Sequence, residues 1–322
     1  MVGLSVVNNL NESRCKPVIC IMGATATGKT DAAAQLYDAL DSEIVSVDSS
    51  LVYAGMDIGT AKPDVDFLKK YPHHLVDVRE PMDAYSAADF YQDARLIVEN
   101  LASKDKTPIL AGGTMFYFNV LETGLNDLPA ANTQLRDEIS QQANELGWHQ
   151  LHEQLVKLDP RRAAQIAPTD AQRIQRALEI VWQSGEAVTE RAAHTKPPIA
   201  NPIVKIALAF SDRSVLHKRI EQRFDIMLEA GLQAEVEGLL AKGVSADCTA
   251  MKMIGYRQML EFLAGDITYD EMRLKGIAAT RQLAKRQLTW LRNQANVVWW
   301  VDFGLANKKF DKLVQYVTQI SI

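Results

Sequence analysis

The stretch Gly23-Ala24-Thr25-Ala26-Thr27-Gly28-Lys29-Thr30 follows an apolar, β-branched run, Pro17 to Met22, and leads into the alanine-rich segment Thr30 to Leu40. It fits the pattern G-x-x-x-x-G-K-[ST] in the context that gives the pattern meaning, after a buried strand and at the start of a helix. The chemistry needs this spacing. The glycines let the backbone curl so that several N–H groups point inward at phosphate oxygens, and the helix N-terminus adds positive potential. Lys29 supplies a mobile charge for a terminal phosphate, and Thr30 offers a hydroxyl to Mg2+. The motif specifies a phosphate; whether a nucleotide occupies it is left open.

Outward from the loop, Glu43 to Val47 reads as a second strand, His74 to Val78 as a short third, and Pro108 to Ala111 as another buried strand closed by Gly112-Gly113. Ser86-Ala87-Ala88-Asp89 matches a capping box that opens a helix to about Leu101. Strands alternating with helices predict an α/β fold, a P-loop NTPase-like parallel sheet with helices on both faces. From about Leu125 to Ala200 the pattern changes to helices with almost no strand signal. Asp170 to Ser184 is the clearest of these, with Thr169 and Gln172 as its capping box, and Lys196-Pro197-Pro198 and Asn201-Pro202 close the stretch like a linker. Ile203 to Phe210 then reads as a strand, Val215 to Glu229 as a helix, Asp270 to Asn296 as a long helical region and Val297 to Val301 as a last strand. The expected organisation is a catalytic core of residues 1–124 and 201–322, with C-terminal helices, and an inserted all-helical domain at 125–200.

The chain has 322 residues, 47% hydrophobic and 23% charged, which is ordinary for a globular protein. Its net charge of -5 argues against a uniformly basic nucleic-acid coat protein, so any nucleic-acid surface must be a local patch. Met272 to Asn296 supplies one, with Arg273, Lys275, Arg281, Lys285, Arg286 and Arg292 and no acid. Arg173 and Arg176, three apart in Gln172-Arg173-Ile174-Gln175-Arg176, share a helical face. A solvated basic helix is the plainer alternative for such charges. Cys15, Cys20 and Cys248 form no CxxC pair. A reduced, cytoplasmic setting without a cysteine-based zinc site is expected. Met1 to Arg14 lacks the features of a signal peptide, and no apolar run approaches the roughly 20 residues of a membrane span. Nothing calls for an obligate dimer, and a monomer is expected.

A P-loop NTPase usually places an acid at the end of a later strand to hold Mg2+, yet Pro108 to Ala111 ends in Gly112-Gly113-Thr114. The obvious acid follows the second strand instead, as Asp48 in Ser46-Val47-Asp48-Ser49-Ser50. Strand C-terminal ends form the ligand-binding edge of open α/β sheets. Asp48 is therefore a candidate base or metal ligand, or a cap of the following turn. Thr114 is a site hydroxyl or a helix cap. A small-metabolite kinase would share the loop, the Mg2+ and Asp48, but leaves the missing second acid, the basic 272–296 segment and the helical block without a role. A non-catalytic RNA-binding module with a relic phosphate site is the other alternative.

Several segments together carry a family resemblance. These are the loop, Ser46-Val47-Asp48-Ser49, Gly55-Met56-Asp57-Ile58-Gly59-Thr60-Ala61-Lys62-Pro63, Tyr85-Ser86-Ala87-Ala88-Asp89-Phe90, Gly112-Gly113-Thr114, Gln172 to Glu179, Ile254-Gly255-Tyr256-Arg257-Gln258 and Lys285-Arg286-Gln287-Leu288-Thr289-Trp290-Leu291-Arg292. Over residues 17 to 303 the chain resembles the tRNA dimethylallyltransferases, or isopentenyl-tRNA transferases. The family's loop commonly reads GPTASGKT; Ala24 and Thr27 here stand for Pro and Ser, and no glycine, lysine or final threonine is lost. No zinc-finger pattern follows, so the likeness is to bacterial members.

The resemblance implies transfer of a dimethylallyl group from dimethylallyl diphosphate to N6 of the adenine just 3′ of the anticodon, position 37. The tRNAs would be those reading codons that begin with U. It implies Asp48, Thr114 and Lys29 as catalytic residues, with Asp48 taking a proton from N6. Gly23, Ala24, Thr25, Ala26, Thr27, Gly28, Lys29 and Thr30 would bind diphosphate, with Mg2+ on Thr30. Arg219 or Arg223 would hold the same group, unless they merely line an exposed helix. The resemblance assigns contact with the tRNA anticodon stem-loop to Asp48, Ser49, Ser50, Leu51, Thr114, Arg136, Gln172, Arg173, Ile174, Gln175, Arg176, Lys252, Met253, Ile254, Gly255, Tyr256, Arg257, Lys285, Arg286, Gln287, Leu288, Thr289, Trp290, Leu291 and Arg292. Stacking would hide N6, so the base must be turned out into a pocket. Trp290, Trp299 and Trp300 read as core residues, and the helical block as a grip on the anticodon stem.

Overall fold

In a computed structural model, residues 16–191, 195–301 and 309–321 are described; Met1 to Cys15 of the sequence reading lie outside them. Strand β1 (Val18–Gly23) is buried along its whole length. Helix α1 (Lys29–Ala39) follows the loop and buries Ala32, Ala33, Ala34 and Leu36, small side chains that let it lie close to the sheet. Then come β2 (Ser42–Val47), the short α2 (Val65–Lys70) and β3 (His73–His74). The expected strand His74 to Val78 is thus only two residues long, supplemented by an isolated bridge between Tyr53 and Arg79. Leu75 and Asp77 both take positive φ, 63° and 55°, which ends the extended run.

Helix α3 (Ala87–Ser103) opens on the expected capping box: Ser86 Oγ accepts from Asp89 N at 3.2 Å, and the Asp89 carboxylate accepts from Ser86 N at 2.8 Å. β4 (Thr107–Gly112) and α4 (Met115–Thr123) complete the first half.

The chain then forms a second compact unit, residues 123–198, beginning and ending two residues before the block expected from sequence. It contains β5 (Leu125–Asn126), α5 (Thr133–Leu146), α6 (Trp148–Leu158), α7 (Pro160–Ala163), α8 (Ala171–Ser184), α9 (Val188–Arg191) and β6 (Thr195–Lys196). β5 and β6 pair antiparallel, as a two-residue ribbon too short to show in the sequence. The helices enclose a core of their own that includes Ile139, Leu151, Leu155, Ile174, Leu178 and Ile180. Helix α8 is capped by Asp170, whose carboxylate accepts from Arg173 N at 3.1 Å. Asp170 therefore takes the place expected for Thr169.

The first unit resumes with β7 (Ile203–Ala209), α10 (Arg213–Glu229), α11 (Leu232–Ala241), a 3-10 turn at Ala250–Lys252, α12 (Tyr256–Leu263), α13 (Tyr269–Arg292), β8 (Val297–Val301) and α14 (Lys309–Ser321). Its six strands lie in the order β3-β2-β4-β1-β7-β8, all parallel. Ile19, Ile21, Ile109 and Ile206 pack beneath α1 and α14, which contributes Leu313 and Val317. The intervening residues Cys20, Met22 and Leu110 are equally buried, and α3 packs against β2 and β4. Covered on both faces, the strands read as continuous apolar runs.

Candidate active site

All six strands run the same way, so their C-terminal ends share one edge. Gly23 ends β1, Asp48 follows β2, and Gly113 and Thr114 follow β4. β4 lies between the other two, and its Gly112 is in register with both Met22 and Val47. A Cβ on Gly112 would run into the Val47 carbonyl. The close approach of the two backbones therefore excludes any side chain at Gly112. A cavity of about 870 Å³ opens over this edge, within the range of small-molecule sites. It is lined by Lys29, Thr30, Asp48, Ser49, Thr114 and Arg223 among others.

The loop is shaped from inside. Gly28 caps α1 with φ 89°, a left-handed conformation that favours glycine. Thr27 is buried and its hydroxyl donates to Ala24 O at 2.8 Å, a bond that the serine of the commoner loop sequence also makes possible. Lys29 Nζ donates to the same carbonyl at 2.8 Å. Burial lowers the Lys29 ammonium to about 8, with the nearby Asp48 charge opposing the shift and Arg223 adding to it. The first N–H groups of α1 have no intrahelical partner and supply the positive end of its dipole.

Asp48 divides its carboxylate. Oδ1 accepts from Ser50 N at 2.9 Å and from Ser50 Oγ at 2.5 Å, so it caps the turn. Oδ2 makes no hydrogen bond to any described residue. The cap reading of Asp48 therefore holds on Oδ1, and Oδ2 is the oxygen that a base or metal ligand would use. Thr114 Oγ1 accepts from Ser49 N at 3.0 Å and contacts Ser49 Oγ at 3.4 Å, tying the end of β4 to the turn after β2. His73, which has no recognisable motif, also lines the cavity, and burial lowers its pKa.

Arg223 and Arg219 separate. Arg223 lines the large cavity, and burial pulls its pKa down against the charge of Asp48. Arg219 does not line that cavity. Its Nε donates to Ala26 O at 2.9 Å, and it stacks on Phe210, bracing the loop from outside. Arg223 is thus the better placed of the two for a ligand in the large cavity.

The segment Gly55 to Pro63 forms another wall, held by a residue that carried no sequence signal. Glu235 on α11 accepts from Asp57 N (2.8 Å), Ile58 N (2.7 Å) and Gly59 N (3.0 Å), and also from Tyr256 Oη (2.6 Å). Gly59 must lack a side chain, because a Cβ would enter the Tyr256 ring. The Lys62 side chain is almost fully buried and donates to Tyr53 O at 2.9 Å, to Asp57 Oδ1 at 2.6 Å and to Asp77.

The segments that the resemblance assigns to tRNA divide into outward and inward residues. In the 252–257 segment, Lys252 and Arg257 are exposed while Gly255 and Tyr256 are buried. In the 285–292 segment, Lys285, Arg286, Thr289, Trp290 and Arg292 are exposed, Leu291 is buried, and Leu288 packs with Ala24 and Ile220. Trp290 and Trp299 are not core residues as expected. Trp290 is 40% exposed and lines the cavity, and Trp299 lies exposed on edge strand β8, whereas Trp300 packs on the core beside Tyr316. The six cations of 272–296 are not all available. Arg273 is paired with Asp225 and Glu221, Arg281 with Glu221, and Lys275 with Glu261. Lys285, Arg286 and Arg292 have no carboxylate partner among the described residues.

In the second unit, Ile174 is fully buried. Arg136 and Arg176 both close on Glu179, which has no exposed surface and also accepts from Asn132 N at 2.6 Å. Burial alone would raise the Glu179 carboxyl; the hydrogen bonds from Arg176 and Asn132 outweigh it and hold the group below its ordinary value. Gln175 donates to Arg136 O and Ser140 Oγ. Arg173, paired with Asp170 at 3.1 Å, is the most exposed of these side chains.

A magnesium ion finds no protein cage here. Among the described residues no three His, Cys, Asp or Glu side chains cluster as metal ligands. Thr30 and Asp48 nevertheless line one cavity. That sparse oxygen set suits an ion carried on substrate phosphates.

Fold and site together place a phosphate-loop motif, an acid after β2 and a helix bearing cations around one cavity. A family model described as IPP transferase matches residues 51–294. A tRNA dimethylallyltransferase of Methylobacillus flagellatus is 51% identical over 282 residues, 86% of this chain and 89% of that one. The crystal structure of the tRNA isopentenylpyrophosphate transferase of Bacillus halodurans is 35% identical, with a TM-score of 0.69 over 95% of this chain and 96% of that one. That of Staphylococcus epidermidis is 30% identical, with a TM-score of 0.66 over 94% and 98%. A eukaryotic dimethylallyltransferase captured acting on tRNA shares the fold, with a TM-score of 0.75 at 24% identity over 92% of this chain and 77% of that one. The chain belongs to the tRNA dimethylallyltransferase family and is a prenyl transferase.

Proposed function

We propose that the enzyme transfers the dimethylallyl group of dimethylallyl diphosphate to N6 of the adenine just 3′ of the anticodon, position 37, in tRNAs reading codons that begin with U. The observation that supports this best is the presence, in one cavity, of a phosphate loop, an uncommitted carboxylate oxygen of Asp48 and Arg223. N6 forms a bond to the allylic carbon as the carbon–oxygen bond to diphosphate breaks. The N6 proton passes to Asp48 Oδ2. Lys29, Arg223 and the N–H groups of the loop hold the charge that grows on the leaving diphosphate. Thr30 and the substrate's phosphate oxygens would hold Mg2+, which would supply Lewis-acid stabilisation of the same charge. The exposed Lys285, Arg286 and Arg292 and the cavity-lining Trp290 support an RNA-facing helix, with cations for phosphates and a ring for an unstacked base. The free thiols of Cys20 and Cys248 fit a reduced cytoplasm.

The test is transfer of labelled dimethylallyl diphosphate into unmodified tRNA, with ATP turnover measured in parallel and the labelled nucleotide mapped. Label at the adenine beside the anticodon is the expected result. Rapid ATP consumption without transfer would return the site to the kinases.

A further inference from the structure

Helix α13 faces two ways within one turn. Lys285 and Arg286 are exposed at the cavity, but the adjacent Gln287 is partly buried and bonded within the protein. Its Oε1 accepts from Thr25 N at 2.9 Å, and its Nε2 donates to Gly113 O at 2.9 Å. One neighbour donates and the other accepts, so the amide has a single satisfied orientation. Thr25 stands in the first turn of the phosphate loop. Gly113 links the end of β4 to Thr114, whose hydroxyl ties in the turn carrying Asp48. A Cβ on Gly113 would lie 2.6 Å from Gln287 Nε2, so Gly113 leaves room for this side chain. The helix itself is seated by Leu288 and Ala284 against Ala24, Leu216 and Ile220.

We propose that Gln287 is a positioning residue for the diphosphate site and not a tRNA contact. It pins the phosphate loop to the end of β4, fixing the spacing between the diphosphate cradle and the turn of Asp48. Each end of its amide already has a partner inside the protein, although it borders the cavity. This rests on the reading of the loop as a diphosphate site. With Gln287 shortened or made apolar, Thr25 N–H and Gly113 C=O lose their partner and the loop samples other conformations, so binding must restore the order that Gln287 maintains.

Binding of inorganic diphosphate with Mg2+, measured by calorimetry, and binding of unmodified tRNA should be compared for the wild type, Gln287→Met, Gly113→Ala and the double variant. Gln287→Met should weaken diphosphate binding about tenfold, as expected for two neutral hydrogen bonds, with tRNA affinity changed less than about twofold. Gly113→Ala displaces the same amide from the other side and should reproduce this split. The double variant should be no weaker than the worse single one, because both changes break one contact. Unchanged diphosphate affinity with weakened tRNA binding would overturn the proposal in favour of a tRNA contact. Equal losses of both affinities would overturn it in favour of a general structural role. If Gln287→Met does not fold, Gly113→Ala carries the test alone. A wild type that fails to bind diphosphate would reject the diphosphate site itself, whereas a wild type that binds it alongside unaffected variants would reject only the role of Gln287.

Discussion

At the scale of the residue, Asp48 commits one carboxylate oxygen to a turn and leaves the other for the proposed proton transfer. Its Oδ1 is taken by Ser50 and its Oδ2 is left to the cavity. Asparagine can keep the turn contact but cannot take up a proton. Asp48→Asn is therefore expected to lower single-turnover prenyl transfer by roughly 10²–10⁴-fold, while tRNA binding and thermal midpoint stay near wild type. Asp48→Ala should lose the turn as well and show a lower midpoint. An Asn variant with full activity would exclude Asp48 as the base. The Thr114 hydroxyl accepts from Ser49 N and so ties the end of β4 to the turn that carries Asp48.

At the scale of the element, the loop Gly55 to Pro63 depends on one carboxylate from a distant helix. Glu235 satisfies three consecutive N–H groups and the Tyr256 hydroxyl. Leaving such groups unmet costs about 1–3 kcal/mol each when they are buried. Some of these bonds are partly exposed, so Glu235→Ala should fall near the low end of that range in chemical denaturation. It should also raise KM for the prenyl donor, because the loop walls the cavity. Unaltered stability would show that water replaces the carboxylate without loss.

The helical unit has a comparable centre in Glu179, clasped by Arg136 and Arg176. Its folded pKa is depressed, so its contribution to stability is present above the unfolded value near 4.5 and is lost as pH falls through the lower folded value. Wild type should lose helical-unit stability on acidification through that window. Glu179→Gln should be less stable at neutral pH by about 2 kcal/mol and show a flatter acid limb in circular dichroism. A wild-type acid limb as steep in the variant would assign the transition to another group.

At the scale of the whole molecule, pairing with carboxylates divides the cations of the basic helix into two sets. Arg273, Lys275 and Arg281 are neutralised by carboxylates of α10 and α12, while Lys285, Arg286 and Arg292 are not. Lys285→Ala and Arg286→Ala should each reduce the salt dependence of tRNA binding by about one unit of slope. Arg273→Ala and Arg281→Ala should leave the slope unchanged and lower stability instead. Filter binding across a salt series separates the two sets, and equal slopes in all four variants would dissolve the distinction. The net charge of -5 does not preclude a local cationic patch, because Lys285, Arg286 and Arg292 at one end of α13 have no carboxylate partner among the described residues.

The phosphate loop, the strand order of events along the chain, the capping box at Ser86 and the block of helices were all legible in the sequence. Each is written in local spacing, and local spacing is what backbone geometry and capping read. Asp48 was legible too, since strand-end position follows from the alternation of strands and helices. Other features waited for the tertiary structure. The division of the basic helix into paired and unpaired cations depends on Glu221 and Asp225, some fifty residues earlier in the chain. The hold of Glu235 on Gly59 and of Gln287 on Thr25 spans 176 and 262 residues. The exposure of Trp290 depends on what α13 packs against, not on its own composition. Sequence by itself determined the family, because its motifs are short, contiguous segments of chain, while the loop motif alone left a kinase open. Only the tertiary structure decided which side chains face the ligand and which hold the cradle in shape, because that choice is made by contacts between segments the sequence keeps far apart.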